Sequence, residues 1–360
     1  MLALKTRLVL VTFGLLVAAQ SHAAGFAAPT SVVGLSEAGA TVADGGPVSS
    51  FADNPADMVF FPGTRVGLDI LATRPAYKVD NGSGSIDASS NLQILPDLFV
   101  THRFNDLPLA VGLGVTSPYS INATWPAGTF TGTFTGQPSL RNDLRIIDVN
   151  PGVAYLLLPN LSVGVGLDYY QTLSATFGPN SGTGGGVGGN VGLFYTTERF
   201  NAGLSYRSAA SVSSGGGSID LPSRVQAGVR YRLTPRFASE LDVDWNDWSN
   251  ARLPGHGSLG WKSALAYRLG LSYHLNQNLE LRGGLAHEGS PGNSSSFDAA
   301  APGTSSNLAS FGLGIGLGAW HYDIGASYAL SGNTTSYYPG FAGTYKASIF
   351  NFGAAISRDF

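Results

Sequence analysis

The chain has 360 residues, with 20 Lys+Arg against 23 Asp+Glu, 49 Gly and no cysteine. Only 12% of residues are charged and 11% are aromatic, where a soluble globular domain carries about 25% charge. The weak net charge of −3 excludes a basic face for nucleic acid. The missing thiols exclude a disulfide scaffold, thiolate metal sites and a cysteine nucleophile.

Lys5 and Arg7 precede an apolar stretch from Leu8 to Ala19, followed by Ser21-His22-Ala23. This is the charged start, apolar centre and small-residue cleavage site of a secretory signal peptide, predicted over residues 1–23. The alternative, an uncleaved anchor, needs a longer apolar run to cross about 30 Å of hydrocarbon. The chain after residue 23 carries 18 cations against 23 carboxylates and no run of 18 apolar residues. If that part lies in a membrane, only a closed barrel satisfies its backbone there.

Residues 24–62 are rich in small residues and lack two-residue alternation. They have too many Ala, Val and Phe for typical disorder. The expectation is a mostly helical hatch folded inside a barrel, with a disordered leader as the alternative.

From residue 63 to 360 the chain alternates with period two. Phe311, Leu313, Ile315 and Leu317 share one face and glycines fill the other; Leu109, Val111, Leu113 and Val115 repeat the pattern, as do Leu161 to Tyr170 and Leu265 to His274. Such alternation is a strand signal. Several segments run to 12 residues or more, beyond the usual five or six of a globular strand. Tyr155, Tyr206, Tyr231, Trp245, Tyr273 and Tyr328 sit near segment ends, where an aromatic girdle belongs. Short turns are expected near 105–106, 159–160, 197–198, 234–235, 276–277 and 320–321. Long loops are expected over 79–94, 118–140, 177–186, 211–220, 250–260, 291–305 and 333–343. Six turns and seven loops close a barrel of about 14 antiparallel strands with both ends on the periplasmic side. The chain stops at Phe360, aligned with Phe350, Phe352 and Ile356, like the signal read by the outer-membrane barrel assembly machinery.

Catalytic signatures are sparse. There is no G-x-S-x-G, H-E-x-x-H or P-loop, and the histidines lack metal-ligand spacing. Gly184 to Gly189 formally contains G-x-G-x-x-G, but in an expected outer loop rather than between strand and helix. Arg224, Arg230 and Arg232 alternate to the inner face, opposite Glu240, Asp242 and Asp244 on the next segment. That pattern suits a structural charge lattice, with carboxylate binding as the alternative. Arg65, Arg207 and Arg268 are further inward-facing cations.

Several ordered motifs carry a resemblance. They are Ala24-Gly25-Phe26 after the signal, Asn54-Pro55-Ala56, Leu95-Pro96-Asp97, Val115-Thr116-Ser117-Pro118-Tyr119, Asn150-Pro151-Gly152-Val153-Ala154-Tyr155, Leu204-Ser205-Tyr206-Arg207-Ser208, Leu221-Pro222-Ser223 and Trp245-Asn246-Asp247-Trp248. Over nearly the whole chain the sequence resembles the FadL/TodX family of outer-membrane fatty-acid and hydrocarbon transporters. It departs from that family in its short length, in Asp57 where glycine is common, and in Tyr119-Ser120 where Phe-Gly is usual.

The resemblance implies a channel in the outer membrane of a Gram-negative bacterium, not an enzyme, and no cofactor or metal. It implies passive uptake of hydrophobic small molecules, most of all long-chain fatty acids, through a pocket near the start of the mature chain and sideways out through the wall. Aromatic hydrocarbons are the alternative cargo, a general diffusion porin the alternative channel, and a barrel enzyme or adhesin a third reading. By resemblance Phe26 points into the ligand pocket, Asn54-Pro55-Ala56 forms a hatch turn at the wall, and Arg65, Arg207 or Arg268 meets a head group. Proline removes a ladder donor, so Pro118 and Pro151 are candidates for a lateral gap; alternatively Pro118 merely ends the third strand. Expected partners are outer-membrane lipid, lipopolysaccharide and the assembly machinery, with the chain a monomer.

Overall fold

The computed structural model describes residues 26–130, 139–255, 257–292, 299, 301, 303–337 and 340–360. The expected signal peptide and Ala24-Gly25 lie outside the described residues, as do parts of four expected outer loops.

Alternation builds fourteen long strands. They are β1 (Gly63–Asp80), β2 (Gln93–Arg103), β3 (Leu109–Pro126), β4 (Ser139–Leu158), β5 (Leu161–Phe177), β6 (Gly185–Thr196), β7 (Phe200–Arg207), β8 (Ser223–Thr234), β9 (Phe237–Asp247), β10 (Ser263–His274), β11 (Leu279–Glu288), β12 (Ser306–Leu317), β13 (Trp320–Ser331) and β14 (Gly343–Asp359). Each pairs antiparallel with its sequence neighbours, and β1 pairs with β14 from Arg65↔Asp359 to Asp80↔Thr344. The sheet is therefore a closed antiparallel barrel with no free edge at its seam. The C-terminus is tied into the seam, since Phe360 N donates to Thr64 O at 2.8 Å.

The outward face of each strand is apolar and the inward face small or polar. Leu68, Ile70, Leu167, Leu193, Val229, Leu241, Leu285, Ile324 and Phe352 are all exposed, as a lipid-facing band requires. Tyr155, Tyr206, Tyr231, Trp245, Tyr273 and Tyr328 also stand outward and half-exposed, near the strand ends. Among the described residues no helix is long and apolar enough to cross a membrane.

Two boundaries differ from the sequence reading. β3 does not end at Pro118 but runs on to Pro126 through a register shift between Thr116 and Tyr119. Tyr119, Ile121, Ala123 and Trp125 continue its inward face and bury there. Gly185 to Gly189 belong to β6 rather than to a loop. A side chain at Gly184 or Gly186 would strike the backbone of Ser213 or Ser211 in the Ala210–Leu221 hairpin, so these glycines let that hairpin fold inward.

Residues 26–62 lie inside the barrel. Helix is confined to α1 (Val32–Ser36) and two 3-10 turns, Val48–Ala52 and Asp57–Phe60; the rest is irregular, short of the mostly helical segment expected. Its close fit follows from the inward glycines. A Cβ at Gly112 or Gly152 would lie 2.9 Å from the Phe51 ring, one at Gly284 2.7 Å from Ala38, and one at Gly353 2.8 Å from Val32. Of the glycine face read from Phe311–Gly318, Gly312 meets this segment at Ser36, while Gly314 makes room for Arg282 and Asp323.

Leu241 is 63% exposed at the middle of β9. Leu241→Arg is expected to destabilise the barrel in lipid by about 2–4 kcal/mol, measured by urea unfolding from vesicles.

Candidate functional site

The wall's charges hold the inner segment. Its free N–H groups meet wall carboxylates: Val32 N donates to Asp69 at 2.7 Å, Thr41 N and Val42 N to Asp242 at 3.0 and 3.2 Å, and Ala43 N to Glu240 at 2.7 Å. Its carbonyls meet wall donors: Arg207 reaches Ala52 O at 2.9 Å, Arg268 reaches Ala38 O at 2.9 Å, and Arg65 reaches Gly46 O at 2.8 Å. Glu37 is fully buried between Arg230 (2.8 Å) and Arg282 (3.8 Å). Burial pushes its carboxyl up, against the opposing pull of Arg230. Asp57, bonded to Ser50 Oγ, is pushed by burial up to about 7.

The Asn54-Pro55-Ala56 turn lies against β5 and β6. Asn54 Nδ2 donates to Leu193 O at 3.0 Å and to Val42 O at 3.1 Å, while Asn54 Oδ1 accepts from Ala56 N at 3.1 Å. Ser162 Oγ donates to Ala56 O at 2.6 Å. Gly164 and Gly192 leave the space that this turn occupies.

The wall is incomplete between β2 and β3. Their ladder runs from Arg103↔Ala110 only to Leu98↔Val115, and an isolated bridge, Ser89↔Thr124, follows farther out. Between these points side chains take over: Asp97 accepts from Ser117 N at 2.7 Å, and Gln93 Nε2 donates to Ile121 O at 3.2 Å. The free edge of β3 is instead covered by the start of the inner segment. Ala28 N donates to Pro118 O at 2.8 Å and Ser120 N to Phe26 O at 3.0 Å, around the bridge Ala27↔Tyr119.

Beside this patch the outer half of the lumen is apolar. Phe26 is buried against Trp248 (centroids 4.9 Å apart), Tyr119 (5.7 Å) and Trp261 (6.3 Å). Leu144, Ile146, Phe177, Val212 and Leu253 extend the cluster. A cavity of about 50 Å³ remains, walled by Phe26, Ala28, Thr73, Gln93, Ile121 and Thr304 among others. A cavity of about 150 Å³ accommodates benzene, so this one is closed to such a molecule until Phe26 or its neighbours move. The opposite, short-turn end holds a polar vestibule of about 390 Å³ whose walls include Arg65, Arg232, Glu280, Arg282 and Asp323.

The predicted site residues divide accordingly. Phe26 and Pro118 meet at the break. Pro151 does not: it pairs with Leu113 in the β3–β4 ladder, and on its other side the β4–β5 ladder skips Asn150 and Pro151 and resumes at Gly152↔Gly166. The three candidate head-group cations are occupied. Arg207 bonds Asp148 at 2.6 Å and Asp168 at 2.7 Å; Arg268 bonds Asp244 and Glu288, both at 2.8 Å; Arg65 bonds Asp359 at 2.9 Å. Arg224 and Arg230 join the same lattice, to Asp244 and Glu240 at 3.0 Å each. Arg232 binds the carbonyls of Thr197 and Glu198 at the rim. Alternation gives the face of each charge but not its partner, which the inner segment often supplies. Trp261, Gln93 and Thr304 went unmarked, because each draws its meaning from contacts between distant strands and loops.

A family profile described as outer membrane protein transport protein (OMPP1/FadL/TodX) matches residues 14–183 and 203–360. The chain belongs to this family. It is an outer-membrane β-barrel of a family of channels that transport hydrophobic compounds. Among solved structures, a Pseudomonas aeruginosa FadL homologue superposes with a TM-score of 0.77 at 16% identity, over 94% of this chain and 100% of that one. The Pseudomonas putida toluene transporter TodX gives 0.67 at 16%, over 87% and 94%. The Ralstonia pickettii toluene transporter TbuX gives 0.66 at 16%, over 92% and 98%. These identities speak for the fold alone. No curated protein sequence matches.

Arg230 tests how far the barrel depends on this anchoring. Arg230→Gln leaves Glu37 and Glu240 buried without their shared cation, and removing one member of a buried ion pair costs about 3–5 kcal/mol. Residues 26–62 should become protease-sensitive in the folded barrel, read by limited proteolysis and mass spectrometry.

Proposed function

We propose that the protein takes hydrophobic compounds across the outer membrane through the apolar cluster around Phe26 and releases them sideways between β2 and β3. The observation that carries this is the interrupted β2–β3 ladder, covered among the described residues by residues 26–28 and a few side-chain bonds. Moving that short segment opens both the pocket and the wall, because Phe26 belongs to each. In this reading residues 24–62 are a hatch, docked through Asn54-Pro55-Ala56, and residues 1–23 are the cleaved signal.

The route has a physical rationale. A buried methylene gains about 0.8 kcal/mol over water, so an apolar pocket draws an alkyl chain from the aqueous side. Continuing through the charged vestibule below would return that chain to a polar path. Lateral exit keeps it in apolar surroundings throughout.

Long-chain fatty acids are the proposed cargo, with aromatic hydrocarbons the second reading. The second is favoured by the fold shared with two toluene transporters and by the ion-paired state of Arg65, Arg207 and Arg268. A general porin is disfavoured by the filled lumen.

The test is uptake of labelled oleate and of toluene by a Gram-negative host lacking its own hydrophobic channel. With the protein present, oleate should enter several-fold faster than with an empty vector. Toluene entering alone would assign the second cargo. Small sugars entering while neither hydrophobic probe does would overturn the reading.

A further inference from the structure

The outward face at the seam between β1 and β14 changes character along the strands. Leu68 and Ile356, Ile70 and Ala354, and Ala72 and Phe352 stand opposite one another in an apolar column. On the short-turn side the column starts at Arg358, opposite Val66, whose guanidinium lies over the Trp320 and Phe360 rings at 4.9 and 4.4 Å. On the other side it stops at Arg74, opposite Phe350. From Val66 to Arg74 the strand advances about 27 Å, or about 20 Å of depth at the tilt of such barrels. The apolar band of an outer-membrane barrel is about 25 Å tall, so Arg74 stands at its outer edge. Lys78 and Lys346 follow four residues farther out, directly opposite each other and both exposed.

The protein itself does little for these three cations. Among the described residues, Arg74 and Lys346 have neither an ion pair nor a side-chain hydrogen bond. Lys78 reaches Asp87 at 3.3 Å, an exposed pair of small worth. The carboxylate of Asp80, at the outer end of β1, accepts from Gly82 N at 3.1 Å within its own loop. Like charges directly opposite each other destabilise a ladder, and Lys78 and Lys346 are such a pair. The inward arginines differ: Arg207, Arg224, Arg230 and Arg268 all hold carboxylates. The outward three wait for an anion, and at their depth the surroundings are the head groups of the outer leaflet.

We infer that Arg74, Lys78 and Lys346 form a docking surface for lipopolysaccharide, held through the two phosphates of its lipid A. Arg74 meets one phosphate at the edge of the hydrocarbon, where its planar fork suits bidentate bonding. Lys78 and Lys346 meet the second, about 13 Å farther along the strand, and the anion between them relieves their repulsion. Phe350, with Tyr328 opposite it on β13, and Phe352 below give the acyl chains an apolar wall. Charge and depth agree, since basic side chains lie where the phosphates do and apolar ones where the chains do. The inference concerns the outside of the barrel and is independent of the uptake reading.

The experiment titrates fluorescently labelled bisphosphorylated lipid A into the folded barrel in nonionic detergent, read by anisotropy, with folding checked by heat-modifiable gel mobility. Each cation removed should weaken binding about fivefold, and Arg74→Gln/Lys78→Gln/Lys346→Gln should weaken it by about tenfold or more. If the triple variant does not fold, the single variants Arg74→Gln and Lys346→Gln carry the test. Lys262→Gln removes one exposed charge away from the seam and should leave binding unchanged. Lipid A stripped of its phosphates should bind the wild-type barrel as weakly as intact lipid A binds the triple variant. Equal binding of intact lipid A by the wild-type and variant barrels, or of stripped and intact lipid A by the wild type, overturns the inference. An equal loss in Lys262→Gln overturns it in favour of net charge, and displacement by equimolar inorganic phosphate overturns it in favour of a free anion.

Discussion

In hydrocarbon a backbone N–H or C=O has no water to turn to, and each group left unsatisfied costs several kcal/mol. That constraint explains why every pair of neighbouring strands is joined by a ladder, and why the place where the β2–β3 ladder stops is not simply open. Where the ladder stops at Leu98↔Val115, the edge of β3 takes its partners from Phe26 and Ala28 instead. The seal is short and is not itself a wall strand. It is therefore the part of the barrel most easily replaced by something else.

Keeping the seal in place requires an anchored inner segment, and the remaining inner features serve that need. Glycines on the inward faces of most strands let the segment's backbone and small side chains approach the wall. Wall carboxylates satisfy its N–H groups and wall arginines its carbonyls. Glu37, held between Arg230 and Arg282, fixes the end of α1 to the wall. Residues 26–28 are tied to β3 by two backbone bonds, while the rest of the segment is held by many.

The barrel was legible in the sequence because lipid outside and a packed interior inside impose opposite demands on alternate residues. Phe311–Gly318 shows both faces in eight residues. The charge lattice of Arg224, Arg230, Glu240 and Asp244 was legible for the same reason, whereas Asp242 accepts from the backbone of the inner segment. The break was less so: Pro118 marks it, but Pro151 carries the same chemical signal and leaves only a two-residue gap in the β4–β5 ladder while pairing with Leu113 on its other side. What separates them is which neighbour the missing donor would have met, a property of register. The roles of Arg65, Arg207 and Arg268 depended on carboxylates tens to hundreds of residues away, beyond the reach of periodicity. The aromatic cluster of Phe26, Trp248 and Trp261 is visible only once three distant segments are placed together.

The central claim is that residues 26–28 are a removable seal, and the absence of cysteine allows a direct measurement. Ala27 and Tyr119 lie opposite each other in an antiparallel bridge, where Cβ atoms stand about 4.5–5.5 Å apart, close enough for a disulfide after small adjustment. In Ala27→Cys/Tyr119→Cys, oxidation pins the seal to β3 and reduction frees it, with the same side chains present in both states. Oleate uptake should fall to the empty-vector rate when the pair is oxidised and return on reduction. Equal uptake in the oxidised and reduced forms would contradict the account, since the cargo would then be crossing without moving the seal.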